Sequence, residues 1–304
     1  MITFGALVGH DESGDPLGTA ELAEAIGFDS VWVGDHVLWH VPVPDPMVML
    51  GAMAVRLERI RLGVGILLAP LRPATVVAKQ AATVDQLSGG RLILGVGVGG
   101  EFPIEYEASG VPLNERGRRL DETIEACKLL WTGRQVSYSG RHLRFQNARL
   151  DYLPVQVGGP PVWVGGRSDA ALRRAGQLGD GWLAFVVTPD RFATSWAAVA
   201  EHARLVGRDP STLMPALQLW CQLAESEREA LAMIGPRIEQ MYRTPYARFA
   251  RYCITGDVEV WIRRIEEFVA AGVRHFNFVF AGGDVRFQMI QFADSVLGRV
   301  AALA

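Results

Sequence analysis

Asp35 and His36 stand side by side directly after an apolar run at residues 30–33. An imidazole titrates near neutrality, so His36 is suited to passing a proton to or from a substrate. Asp35 is suited to orienting that ring or to bonding a cofactor. A second cluster, Gly165-Gly166-Arg167-Ser168, follows another apolar run and opens a helical pattern. Ser168 is a natural N-cap. The unpaired amides and the dipole of such a helix end attract phosphate. The glycines let the backbone come close, and Arg167 adds a guanidinium. On these residues alone a well-capped βα turn is the simpler account. Gly95, Gly97 and Gly99 alternate, which in a strand leaves one bare face. A flat ring lying there and a barrel interior that needs small residues both fit. His36 and His40 have i,i+4 spacing, but Pro42 and Pro44 break the helix a metal pair would need, and no third ligand is nearby. No metal site is expected. His275 reads as a structural histidine.

The elements that position these residues alternate between strand and helix patterns. Residues 61–100 are the plainest case. An apolar strand at 62–68 is followed by Val77, Ala81, Val84 and Leu87 at helical spacing, the stop Ser88-Gly89-Gly90, and a strand at 92–98. That is a βαβ unit, so the sheet is parallel and covered by helices. Strand patterns recur near 2–8, 30–33, 61–68, 92–98, 162–165, 182–187, 213–223 and 273–280. Eight βα units in series predict a (β/α)8 TIM barrel, with residues 1–304 as one domain. A small hairpin is expected at 136–145, and a mostly helical insertion at 227–252, near strand seven, interrupted at Pro236 and Pro245. An open doubly wound sheet lacks its signature, because no G-x-G-x-x-G opens a helix after the first strand.

Composition narrows the class further. The chain has 304 residues, 49% of them hydrophobic, and a formal net charge of −3 with no basic stripe. That gives no sign of a nucleic-acid partner. No apolar run reaches membrane-span length, and no secretory leader pattern opens the chain. Three scattered cysteines without a CxxC suit a reducing cytoplasm.

Four segments together resemble the bacterial-luciferase-like flavin and deazaflavin oxidoreductases. They are Gly27-Phe28-Asp29-Ser30-Val31-Trp32-Val33-Gly34-Asp35-His36; the stretch from Ala78 to Arg91 with the glycine strand after it; Glu107-Ala108-Ser109-Gly110 with Arg116-Gly117-Arg118-Arg119-Leu120-Asp121-Glu122; and Gly165-Gly166-Arg167-Ser168 with Gly179-Asp180-Gly181-Trp182. The chain looks most like the actinobacterial branch that uses coenzyme F420. The resemblance implies the barrel with its insertion, and hydride transfer between F420 and a small organic substrate at the carboxyl end of the strands. FMN with oxygen, in a two-component monooxygenase served by a separate reductase, is the alternative. A non-catalytic flavin-binding barrel is a further one. A homodimer is implied as well. By the same resemblance His36 and Asp35 are catalytic. Gly65, Ile66, Gly97, Val98, Gly99, Gly165, Gly166, Arg167 and Ser168 hold the cofactor, with a non-proline cis peptide at Gly65–Ile66. The related F420-dependent sugar-phosphate dehydrogenases place a tryptophan four residues after the histidine. Here that position is His40, with Trp39 one earlier, and both are substrate candidates. Those enzymes also carry an acid soon after the glycine strand. Here Gly99-Gly100 precedes Glu101, so the acid is missing or shifted, which argues against glucose 6-phosphate oxidation.

Overall fold

A computed structural model of the chain describes residues 2–9 and 14–300. Its strands are β1 (Thr3–Leu7), β2 (Ser30–Val33), β3 (Arg61–Val64), β4 (Leu92–Val96), β5 (Val136–Ser139), β6 (Arg144–Ala148), β7 (Val162–Gly165), β8 (Gly181–Phe185), β9 (Met214–Leu223), β10 (Ile254–Gly256) and β11 (His275–Phe280). The helices are α1 (Pro16–Ala25), α2 (Pro46–Arg56), α3 (Ala74–Leu87), α4 (Pro103–Ala108), α5 (Arg116–Leu130), α6 (Asp169–Leu178), α7 (Pro189–Arg204), α8 (Glu227–Tyr242), α9 (Val258–Ala270), α10 (Val285–Phe292) and α11 (Gly298–Val300). Eight strands pair in the order β9-β11-β1-β2-β3-β4-β7-β8, all parallel, and β8 returns to β9 to close the barrel. β5 and β6 form the expected hairpin outside it. No described helix is long and apolar enough to cross a membrane.

Three local expectations differ from the structure. The strand expected at 61–68 ends at Val64; the Gly65–Ile66 peptide is cis, and the chain rejoins the sheet only through a bridge from Leu67 to Val96. The strand expected at 92–98 stops at Val96. In the insertion, α8 runs straight through Pro236, giving up one backbone hydrogen bond rather than breaking. The three-residue β10, which has no run long enough to read from sequence, extends the far end of β9 through Ile254 opposite Cys221.

The barrel interior is filled by large rings, and glycines make the room. A Cβ on Gly5 would lie 2.6 Å from the Trp32 indole nitrogen, and one on Gly63 would collide with the same ring. Trp163 packs on Trp32 at 5.2 Å between centroids. His275 sits beneath them, 3% exposed, with Thr3 Oγ1 2.8 Å from Nδ1 and Ser30 Oγ 3.4 Å from Nε2. Burial, aided by the charge of Arg61, pushes its pKa down to about 3. His275 therefore stays neutral in the fold while an unfolded chain's imidazole protonates below its ordinary pKa. Between about pH 6.5 and 3 the unfolded state binds more protons, so stability falls as pH falls, by up to about 1.4 kcal/mol per pH unit from this group. Urea midpoints at pH 7, 5 and 4 are expected to show a shallower decline for His275→Gln than for the parent. Equal slopes would remove His275 as the source.

Candidate active site

The carboxyl ends of the strands surround a cavity of about 270 Å³, bordered by residues from β1 to β11. This is the face at which barrels of this type carry ligands, because loops of independent sequence converge there on a rigid frame.

His36 reaches the cavity from the loop after β2. Its Nδ1 lies 3.2 Å from Oε2 of Glu105 in α4, a carboxylate only 1% exposed. Glu105 also accepts the backbone N–H groups of Val37 at 2.6 Å and Leu38 at 3.2 Å. One buried carboxylate thus fixes both the ring and the loop that carries it. The imidazole stacks on Trp39 at 4.3 Å, and Phe102 meets it edge-on. With Nδ1 facing a carboxylate, Nε2 is the nitrogen left to exchange a proton. The sequence points to no role for Glu105, and α4 has no periodic signature long enough to read. The two residues are 69 positions apart, and only the packing of α4 beside the β2 loop joins them.

Of the two roles expected of Asp35, orienting the ring and bonding a cofactor, the structure contradicts the first: Asp35 does not orient His36. Its carboxylate binds Arg72 in bidentate fashion, 2.6 Å to Nη1 and 2.9 Å to Nη2, and accepts the Leu68 N–H at 2.8 Å. Burial alone would lower the Arg72 pKa; the Asp35 and Asp45 carboxylates outweigh it and hold the guanidinium above its ordinary value. Asp35 therefore anchors the turn that follows the cis peptide, although it borders the cavity.

The glycine strand is likewise resolved by its neighbours. A Cβ on Gly95 would strike the Val64 carbonyl, and one on Gly97 would strike Ile66 Cδ1. A Cβ on Gly99 would lie 2.6 Å from Leu68 Cδ2. The bare face is a seat for the chain after β3, and no open platform remains on it. Gly97 does not reach the cavity; Val98 and Gly99 do, as do Gly65 and Ile66. Tyr106 donates its hydroxyl to the Val98 carbonyl and so sets that wall. Burial, and to a lesser degree Glu105, raises this phenol to about 12, so it keeps its proton.

Past β4 from β3 in the barrel, at the end of β7, Gly165, Gly166 and Arg167 border the cavity at the start of α6. Gly166 has φ +112°, a conformation that glycine alone adopts without strain, and its carbonyl accepts the Trp182 indole N–H at 2.7 Å. A side chain on Gly165 would press on Ile66 at 2.9 Å. Ser168 caps α6 through the Ala171 N–H and does not itself line the cavity. Arg167 is exposed and donates to the Val186 carbonyl at 3.0 Å. Val186, a β-branched residue at φ +57°, is held in a strained conformation at the rim. Such local strain costs on the order of 1–3 kcal/mol and concentrates at binding sites.

Of the substrate candidates, Trp39 and Glu101 line the cavity. His40 does not; its Nε2 lies 3.0 Å from the Gln240 carbonyl and ties the β2 loop to α8. The described residues hold no group of three or more His, Cys, Asp or Glu placed to bind a metal.

A closed (β/α)8 frame, a histidine fixed at the mouth and a glycine-lined helix start beside it place the chain among the barrels that carry a site at the carboxyl ends of their strands. The model for the luciferase-like monooxygenase family matches residues 10–267, and the chain belongs to that family. It is 29% identical to an F420-dependent glucose-6-phosphate dehydrogenase of Nocardia farcinica, over 94% of this chain and 93% of that one. An F420-dependent secondary alcohol dehydrogenase, solved with an F420-acetone adduct, shares the fold with a TM-score of 0.86 at 23% identity, covering 97% of this chain and 98% of that chain. The monooxygenase RslO1 of Streptomyces bottropensis shares it at 0.84 and 22% identity, covering 98% of this chain and 99% of that one.

Proposed function

We propose that this protein is an F420-dependent oxidoreductase that transfers a hydride to or from a small organic substrate. The observation that carries the reading is His36, fixed on the buried Glu105 carboxylate and opening on the same cavity as the Gly165-Gly166-Arg167 cradle. The residues fit such a cofactor. A positive-φ glycine allows close backbone approach, the ten-residue α6 offers its first amides to an anionic group, and Arg167 stands exposed beside them. F420, when bound, supplies the two-electron hydride chemistry. The chain's own residues do the rest. Gly165, Gly166 and Arg167 take the phosphate-bearing part, and the wall of Gly65, Ile66, Val98 and Gly99 takes the ring. His36 gives or receives the substrate proton.

Quenching of cofactor fluorescence on titration with F420 and, separately, FMN tests this reading. Tight F420 binding with hydride transfer supports it. Preferential binding of reduced FMN with oxygen uptake supports the monooxygenase instead, and F420 binding without turnover on any alcohol or carbonyl compound supports a binding barrel. Arg167→Ala is expected to weaken F420 binding about tenfold, the worth of one charge-assisted contact, with an unchanged melting temperature because the side chain is exposed. An unaltered affinity would move the phosphate site elsewhere. The same proposal includes a homodimer in the cytoplasm, which size-exclusion chromatography with light scattering checks for the assembly.

A further inference from the structure

The charges around the cavity constrain what enters it. Among the described residues that line it, Arg167 is the sole lysine or arginine, and it belongs to the cofactor cradle. Residues 1, 10–13 and 301–304 contain neither type. Arg72 is committed to Asp35 and Asp45. Arg286, at the start of α10 on the same face, pairs with Asp15 at 3.5 Å. The remaining charged lining groups are the carboxylates of Asp35, already neutralised by Arg72, and Glu101. Arg116, beside Gly100, donates to the Leu113 carbonyl at 2.7 Å and is not part of the lining, so an anionic substrate would meet Glu101 with no further cation among the described lining residues to receive it. Phosphate and carboxylate recognition uses arginine or lysine or an unclaimed helix start.

The wall away from the cradle is apolar. Trp39, Trp220, Met241 and Val279 line it, with Met241 supplied by α8 of the insertion, and Leu183 and Phe185 of β8, next to the cradle, continue the apolar lining. Tyr242 and Gln218 are the polar groups beside them: the Tyr242 oxygen already accepts the Trp220 indole N–H at 3.2 Å, and Gln218 Oε1 accepts from Asn277 Nδ2 at 2.9 Å. Burial, with the Glu101 charge adding to it, holds this phenol above its ordinary pKa despite the Trp220 contact, so it is an uncharged hydroxyl.

We propose that the substrate is an uncharged alcohol with apolar substituents, or the corresponding ketone, and not a phosphate ester or other anion. This rests on the hydride-transfer reading above. In the oxidative direction the carbinol C–H bond would break, and F420 held by the Gly165-Gly166-Arg167 cradle would supply the two-electron acceptor for its hydride. The hydroxyl proton goes to His36 Nε2, and the C–O bond becomes a carbonyl. In reduction the same hydride and proton return. The apolar wall takes the carbon skeleton, and His36 with Glu101 takes the oxygen end. Glu101 thus lies on the site despite the shifted spacing, and it is the charge balance around it that disfavours a sugar phosphate.

Two measurements test the proposal. With F420-loaded protein, kcat/KM for cyclohexanol is expected to exceed that for glucose 6-phosphate at least about a hundredfold. With protein free of cofactor, and again with F420 added, saturation-transfer NMR is expected to detect cyclohexanol and not glucose 6-phosphate at equal concentration. Trp220→Ala is expected to weaken the cyclohexanol signal and raise its KM about tenfold, while F420 affinity stays within threefold; Met241→Ala, a milder change, acts in the same direction. Comparable binding or turnover of glucose 6-phosphate overturns the proposal, as does the absence of any cyclohexanol signal in both measurements. A failure to bind F420 would instead defeat the cofactor reading, and the NMR experiment on the unloaded protein would still decide the substrate class.

Discussion

Replacing His36 with alanine is expected to lower turnover at least about tenfold, and towards the 10²–10⁴ range typical of a lost general acid–base group. F420 affinity should stay within a few-fold. The argument is geometric. The imidazole is fixed by Glu105 on Nδ1, by Trp39 on its face and by Phe102 at its edge, and so faces the cavity in one orientation. It makes no contact with Gly165, Gly166 or Arg167, so its loss leaves the cradle intact. Stopped-flow measurement of F420 reduction alongside a fluorescence titration separates the two effects. Turnover equal to the parent's would remove His36 from the chemistry. A parallel loss of cofactor affinity would reassign it to binding.

The second large effect belongs to Glu105, which touches His36 and not the cavity. Glu105→Gln keeps an oxygen for the Val37 and Leu38 amides but loses the charge that faces the imidazole. The expected result is a fall in kcat of about ten- to a hundredfold with KM within threefold, as for an interaction that matters more in the transition state than in the ground state. Glu105→Ala leaves two backbone donors without their acceptor at a site that is 1% exposed, which adds a stability loss of about 1–3 kcal/mol per stranded buried group in urea unfolding. A double-mutant cycle gives the sharper reading. If Glu105 acts through His36, then Glu105→Gln changes nothing further in the His36→Ala background. Additive losses would mean that Glu105 contributes by another route.

The two roles differ in how visible they were in the chain. His36 follows a short apolar strand at a position where a parallel barrel must present it, so periodicity and topology suffice to place it. Glu105 lies on a six-residue helix after a glycine-rich turn, with no neighbour in sequence that marks it. Asp35 illustrates the reverse case. Adjacency suggested a partner for His36, whereas successive residues leave a strand on different sides, and Asp35 turned instead to Arg72. The alternating glycines were legible as a bare face, but what covers that face depends on the path of the chain after β3, which no local pattern records.

The sequence by itself determined the alternation of strand and helix, the eight-fold count, the helix start at Ser168 and the face on which His36 appears. Those follow from periodicity and capping, which are local. Tertiary structure decided which side chains meet: Glu105 with His36, Arg72 with Asp35, Ile66 and Leu68 against the glycines, and a cavity lining whose sole lysine or arginine among the described residues is Arg167. Each of these depends on segments tens of residues apart arriving at one end of a closed barrel, where burial and charge pairing act over a few ångströms of space whatever the separation along the chain.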